Sequence, residues 1–382
     1  MKIVIPEYVK KVMDTLDRNG YEAFVVGGAV RDAMLGENPD DWDVTTNAVV
    51  QDIKKCFPRH FDTGIKHGTI TVLTDEKPVE VTTYRIDGKY KDNRRPESVD
   101  FTTDIREDLK RRDFTVNAMA YSDKLGLVDL YGGVDDLNNK IIRCVGDADT
   151  RFLEDALRIM RAIRFAIRLG FEIENKTFEA INRNRHLLEN ISAERIQVEF
   201  LKMLEADSDL RLLFESGVAK VIIPEVDFEK IILSVPCDKE IKLSALLYDV
   251  RDARDIFNRL KFDNETKNNV LKIIQCANSD FECTKYDIKK MLNKYGEAIF
   301  EKALILKDVY GKCPCEYKAV FNKVKEEPYS LKHLAVTGND VMEAGIWGTE
   351  VGRVMNDLLD MVMQNPNLNK KEKLKELILE IK

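Results

Sequence analysis

Apolar residues change their spacing repeatedly along the first 145 residues. Residues 6–16 carry them at three- and four-residue intervals and run into Arg18-Asn19-Gly20, which predicts a helix closed by a turn. AFVVGG is a short apolar run ended by two glycines, a buried strand and tight turn, and AVRDAMLG then returns to helical spacing and stops at Gly36. WDVTT, GTITVLT and VEVTTYR are β-branched runs, alternating or wholly apolar, and predict strands. After Asp147 the strand signals fade. Helical spacing dominates 151–169, 193–204, 242–260 and 351–363. The pattern predicts an α+β chain: a small mixed sheet with helices over 1–145, then helices alone, with an internal boundary near 205–209. In the last segment, Val351, Val354, Leu358, Leu359 and Met363 have the spacing of a packed core.

Composition narrows the class. With 382 residues, 44% hydrophobic and 33% charged, the chain can fold as two or more ordinary domains. No apolar run approaches a membrane span and the N-terminus lacks a signal pattern, so a cytoplasmic protein is expected. The seven cysteines are single apart from Cys313 and Cys315, and none forms a CxxC pair. Neither a disulfide framework nor a zinc site is expected, and a bound metal would be held by carboxylates. The net charge of −7 argues against a protein that coats nucleic acid generally. Local basic clusters remain: Lys110-Arg111-Arg112, residues 89–95, and the arginines between Arg151 and Arg168.

The stretch VVGGAVRDAMLGENPDDWDVTT concentrates the candidate chemistry. In a strand, Asp41 and Asp43 project to one face while Trp42 turns into the domain. Two carboxylates that close are stabilised by a divalent cation between them, and oxygen ligands beside a polyphosphate favour magnesium. A solvated acidic turn is the simpler reading of the same three residues. Asp40 reads as a turn residue. The glycines, Gly28 included, end a strand at a helix start, where bare backbone amides let a phosphate approach, and Arg31 one turn later adds a charged fork. Glu80, between Val79 and Val81, is either a third carboxylate on a shared face or an exposed strand residue. Lys110 to Asp113 precede the apolar FTVNAMA; Arg112 is the arginine expected to face inward, with Asn117 available to orient a ribose.

A second candidate is the segment FLEDALRIMRAIRFAIRLGF. Taken as one helix, it places Glu154, Asp155, Arg158, Arg161, Arg164 and Arg168 on one half and Ile159, Met160, Ile163 and Ile167 on the other. Leu157 and Phe165 interrupt the polar side, as they would beside a stacked base or a packed neighbour. The stripe lacks lysine, and planar guanidinium groups suit base edges and phosphates. A salt-bridged surface helix has the same pattern.

GGAVRD, DWD, VTTYR, RRDFTVNAMAY and EDALRIMRAIRF occur in that order, followed by AERIQVEFLKML. Together they resemble the class II tRNA nucleotidyltransferases, the CCA-adding enzymes and bacterial poly(A) polymerases of the DNA polymerase beta superfamily. The resemblance spans about the first 205 residues. It implies a nucleotidyltransferase head (1–145), a helical neck (146–208), a body (209–330) and a tail (331–382). It implies transfer of CMP and AMP from CTP and ATP to the 3′ end of tRNA, with Mg2+ and release of pyrophosphate, by a monomer or homodimer with no membrane partner. Carried over by position, Asp41 and Asp43 hold the metal, Gly28, Arg31 and Arg112 bind the triphosphate nucleotide, and Asp155 and Arg158 read its base edge beside Arg161 and Arg164. An aspartate accepting from an exocyclic amine accounts for C and A over U and G.

RIDGKYKDNRRP, 85–96, resembles the family's flexible loop, which favours addition of the terminal A. In ALLYDVRD, Tyr248 stands where some relatives have a phosphohydrolase histidine, so that activity is not expected. The alternatives are an enzyme adding only A, a poly(A) polymerase with the same head, and a noncatalytic RNA-binding protein.

Overall fold

Seven strands make the sheet on which the N-terminal half is built. They are β1 (Ala23–Val26), β2 (Asp43–Thr46), β3 (His60–Gly64), β4 (Thr69–Val72), β5 (Val79–Thr83) and, after the short strands β6 (Arg85–Asp87), β7 (Tyr90–Lys91), β8 (Arg95–Pro96) and β9 (Val99–Phe101), β10 (Met119–Ser122) and β11 (Gly126–Asp129). Their order is β11-β10-β1-β2-β5-β4-β3. Only β2 and β5 run parallel, so the sheet is mixed as expected. The structure, a computed structural model, describes the chain apart from residues 1, 89, 92–94, 97, 207–209, 228–234, 237, 312–314 and 382. Cys313 and part of the 85–96 segment therefore lie outside the described residues.

Alternation divides the β2, β5 and β4 part of the sheet into an apolar and a polar face, while β1 is buried on both. Val25, Val44, Val81, Ile70, Val79 and Val72 are buried on one face. Helices α1 (Glu7–Arg18) and α3 (Val50–Cys56) pack there, α1 through Val9, Val12, Met13 and Leu16. The period-two pattern of β-branched residues is what fixes this register, since a one-residue slip would expose every valine. Between β1 and β2 lies the short α2 (Gly28–Met34); α4 (Ile105–Lys110) and α5 (Gly133–Asn138) complete the head.

Two helices follow, α6 (Ala148–Glu154) and α7 (Leu157–Leu169), the second ended by Gly170 at φ 64°. The sequence predicts one helix across 151–169; two are present. Asp155 leaves helical geometry at φ −136° and ψ 102°, and its Oδ1 accepts the backbone N–H of Leu157 at 3.1 Å. Aspartate offers the backbone a competing acceptor, and here it ends one helix and caps the next. The segment expected as a helical neck also carries a strand: β13 (Glu172–Ile173) pairs in parallel with β12 (Ile141–Ile142). Helices α8 (Asn175–Asn184) and α9 (Ala193–Leu204) follow, and α9 packs along α7.

The chain divides into two compact units, Met1–Pro224 and Glu225–Lys382. The first unit continues past 205–209 because α10 (Arg211–Glu215) packs on α7. In the second unit, one helical group surrounds Ile273, Leu292, Phe300 and Leu304, and another surrounds Val354, Leu358, Leu359 and Met363. The expected helix over 242–260 is two, Lys239–Leu246 and Ala253–Arg259. Tyr248 leaves the first of them to stack on Tyr310 with ring centroids 4.0 Å apart. Among the described residues no helix is long and apolar enough to cross a membrane.

Candidate active site

The site grows from the end of β1. All four residues of this strand are buried, which fixes its exit, and Gly27 follows at φ 74° and ψ −131°. That conformation suits glycine, and a Cβ there would come within 3.0 Å of Arg112 Nη1. The turn thus lets α2 start directly against Arg112. Arg31 on α2 is buried; its Nε donates to Asp32 Oδ1 at 2.7 Å and its Nη1 to Asn117 Oδ1 at 2.6 Å.

A charged network continues from Asn117. Asn117 Nδ2 donates to Asp113 Oδ1 at 3.2 Å, and Asp113 Oδ2 accepts Arg161 Nε at 2.8 Å. Burial alone would raise the Asp113 carboxyl, but Arg161, Asn117 and Arg158 outweigh it and hold it at about 2. Arg164 pairs with buried Glu199 of α9. The guanidinium carbons of Arg31, Arg161 and Arg164 stand 4.9, 5.4 and 4.0 Å from the Phe165 ring centroid. One aromatic ring therefore gathers three cations, each held by its own carboxylate or amide.

These groups border one cleft of about 410 Å3. Gly27, Gly28 and Arg31 line one side and the 37–41 loop with Asp43 another, while Arg112, Asp113 and Asn117 face Arg161, Arg164, Phe165 and Arg168. Trp42 is buried between the two outward carboxylates, as strand alternation predicts. Asp43 keeps contact with solvent, yet its carboxyl is pushed up to about 6, first by desolvation, then by Glu80 and Asp41, against the pull of Arg112. Asp40 also borders the cleft, from the bend before Asp41.

Arg112 approaches this carboxylate from the other side of the cleft. Its Nη2 donates to Asp108 Oδ2 at 3.2 Å, and its Nε is buried with no hydrogen-bond partner among the described residues. Asp108 is fully buried. Burial opposes its ionisation, but Arg112 and Arg111 together hold it below the usual carboxylate range.

Seven of the sequence candidates, Gly28, Arg31, Asp41, Asp43, Arg112, Arg161 and Arg164, thus share one cleft. Three do not line it. Glu80 is the direct neighbour of Asp43 in the β2–β5 register, but no three His, Cys, Asp or Glu among the described residues are placed to chelate one ion. Glu80 acts on Asp43 as a like charge beside the pair. Asp155 accepts Arg195 Nη2 at 2.9 Å, and Arg158 donates from Nη1 to Glu154 at 2.6 Å and from Nη2 to the Arg111 carbonyl at 2.9 Å. The helix break takes Asp155 out of the stripe that the continuous helix predicts, whereas Arg158 stays on α7 with its guanidinium engaged by Glu154 and the Arg111 carbonyl.

The sequence reading did not single out Asp32, Asp108 or Glu199, the anions that hold the cleft's arginines. A run of inward arginines was the available signal, since buried cations require buried partners.

Comparison with known proteins settles the family. Residues 23–143 match the Poly A polymerase head domain and residues 170–229 the probable RNA and SrmB-binding site of polymerase A. The chain is 37% identical to a CCA-adding enzyme of Lactococcus lactis subsp. cremoris, over 93% of this chain and 91% of that one. The chain belongs to the CCA-adding enzyme family. It is also 36% identical to the CCA-adding enzyme of Anoxybacillus flavithermus, over 96% of this chain and 94% of that one. The crystal structure of the Bacillus stearothermophilus CCA-adding enzyme in complex with CTP is similar at a TM-score of 0.83 and 29% identity, covering 99% of this chain and 98% of that chain.

CCA-adding enzymes are nucleotidyltransferases that typically use a divalent metal. The site fits such an ion: two outward carboxylates flank a buried tryptophan, and desolvation, with the like charges of Glu80 and Asp41, keeps Asp43 hard to ionise. A dication would offset both the burial and the neighbouring negative charge.

Proposed function

We propose that this chain adds CMP and then AMP to the 3′ end of tRNA without a nucleic-acid template, taking CTP and ATP and releasing pyrophosphate. The observation that carries the reading is the joining of three parts in one cleft: the carboxylate pair, the glycine turn with Arg31 and Arg112, and the arginines around Phe165. Gly27 and Gly28 leave room for the triphosphate. Arg112 brings a donor with no partner among the described residues, and buried Arg31 adds charge. Asp41 and Asp43 hold magnesium, the hard cation that oxygen ligands and phosphates favour. When bound, magnesium supplies charge stabilisation at the α-phosphate and eases ionisation of the attacking 3′-hydroxyl.

Arg161, Arg164 and Phe165 surround the base, and Asp155 with Arg158 reads its edge. Asp155 Oδ2 accepts one bond, from Arg195, and a carboxylate oxygen has room for a second from an exocyclic amine. Cytosine and adenine carry that amine; uracil and guanine present a carbonyl there and would leave a charged acceptor unpaired. Arg158 must exchange Glu154 for the base.

Incubation with tRNA ending at the discriminator base separates the alternatives. CTP alone should extend it by two residues, CTP with ATP by three, and ATP alone by none. Extension only of tRNA already ending in CC would make the chain an A-adding enzyme, and long A tracts would make it a poly(A) polymerase. Binding without transfer would sink the proposal.

A further inference from the structure

The sheet face that carries Asp43 continues beyond the cleft. Directly paired residues share a face. The register Asp43↔Glu80, Glu80↔Thr71 and Thr71↔Phe61 therefore draws one row across β2, β5, β4 and β3. Thr45, Thr82 and Thr69 form the row beside it. The opposite face is buried valine and isoleucine, but this one opens to solvent away from β2: Thr45 is buried, Thr69, Thr71 and Thr82 are half-buried, Glu80 and Thr63 are exposed, and Phe61 is 60% exposed on the edge strand. Thr63 and Thr71 share a hydrogen bond of 3.0 Å, as do Thr69 and Thr82, and each pair keeps acceptor capacity outward. The turn after β3 adds exposed Lys66 and His67.

We propose that this row is the track on which the last nucleotides of the RNA lie, with Phe61 stacking on one of their bases. The inference rests on reading Asp41 and Asp43 as the metal pair. The incoming nucleotide fills the side of the carboxylates that faces Arg31 and Arg161, so the RNA end that meets it must come over the open sheet. Three strand spacings separate Asp43 from Phe61, about 14 Å at 4.8 Å each. A stacked strand advances about 3.4 Å per nucleotide, which puts the ring within about four nucleotides of the reacting hydroxyl. An exposed ring accepts any base face, threonine hydroxyls suit 2′-hydroxyls, and Lys66 suits a phosphate.

The test places p-benzoylphenylalanine at position 61 of the full chain and irradiates it with labelled tRNA lacking its CCA end. Crosslinks should map to the last four nucleotides. In parallel, Phe61→Ala should raise the KM for tRNA roughly 5- to 100-fold, leave the KM for CTP unchanged, and be rescued by Phe61→Trp. Crosslinks elsewhere, no crosslink, or a tRNA KM within twofold of wild type would overturn the track. A wild-type chain that transfers no CMP would defeat the functional reading instead, and the crosslink map would still decide where the RNA end lies.

Discussion

Asp113→Asn removes one charge from the cleft while preserving shape. Asp113 is 8% exposed, and Arg161 is its direct partner. Its carboxyl sits at about 2 instead of 3.8. At 1.36 kcal/mol per tenfold change, that difference corresponds to about 2 kcal/mol of folded-state stabilisation. The carboxyl is depressed, so this stabilisation is complete well above 3.8 and is lost as pH falls through about 2. Near pH 3 roughly 1 kcal/mol of it should be gone. Leaving Arg161 without its anion adds a cost, moderated because that side chain is 35% exposed. The variant should therefore be about 2–3 kcal/mol less stable at pH 7. Urea unfolding of the unit containing the cleft, at pH 7 and pH 3, measures both quantities. The gap to wild type should shrink by roughly 1 kcal/mol at the lower pH. A gap that is the same at both, or below about 0.5 kcal/mol at pH 7, would refute the role given to this pair.

Gly27→Ala must adopt φ 74° and crowd Arg112, and should cost about 1–3 kcal/mol in thermal or urea unfolding together with a higher KM for nucleotide. Because the Asp43 carboxyl sits at about 6, protons and the metal compete for it. The magnesium concentration for half-maximal transfer should rise as pH falls from 7 to 5, and the dependence should flatten in Asp43→Asn. Asp155→Ala should relax discrimination against UTP and GTP by roughly 5- to 100-fold in single-nucleotide incorporation, with magnesium dependence unchanged.

Local signals in the chain reach far into the fold but stop at its long-range pairings. Short β-branched and apolar runs placed the strands around the cleft, and period-two alternation separated Asp41 and Asp43 from buried Trp42. The break at Asp155 was hidden because periodicity averages over a window, whereas one side chain capping Leu157 acts at a point. The partners of Arg161 and Arg164 were hidden for another reason: Asp113 lies 48 residues and Glu199 35 residues away. Only folding decides which carboxylate a buried arginine meets. The same holds for Glu80, whose place beside Asp43 depends on a parallel register that no local pattern encodes.

The central claim is that the Asp41 and Asp43 cleft performs the transfer. Single-turnover CMP addition by Asp41→Ala, with tRNA binding measured on the same preparation, tests it most directly. The rate should fall by about 10³-fold or more while tRNA affinity stays within a few-fold. Transfer at the wild-type rate would contradict the account.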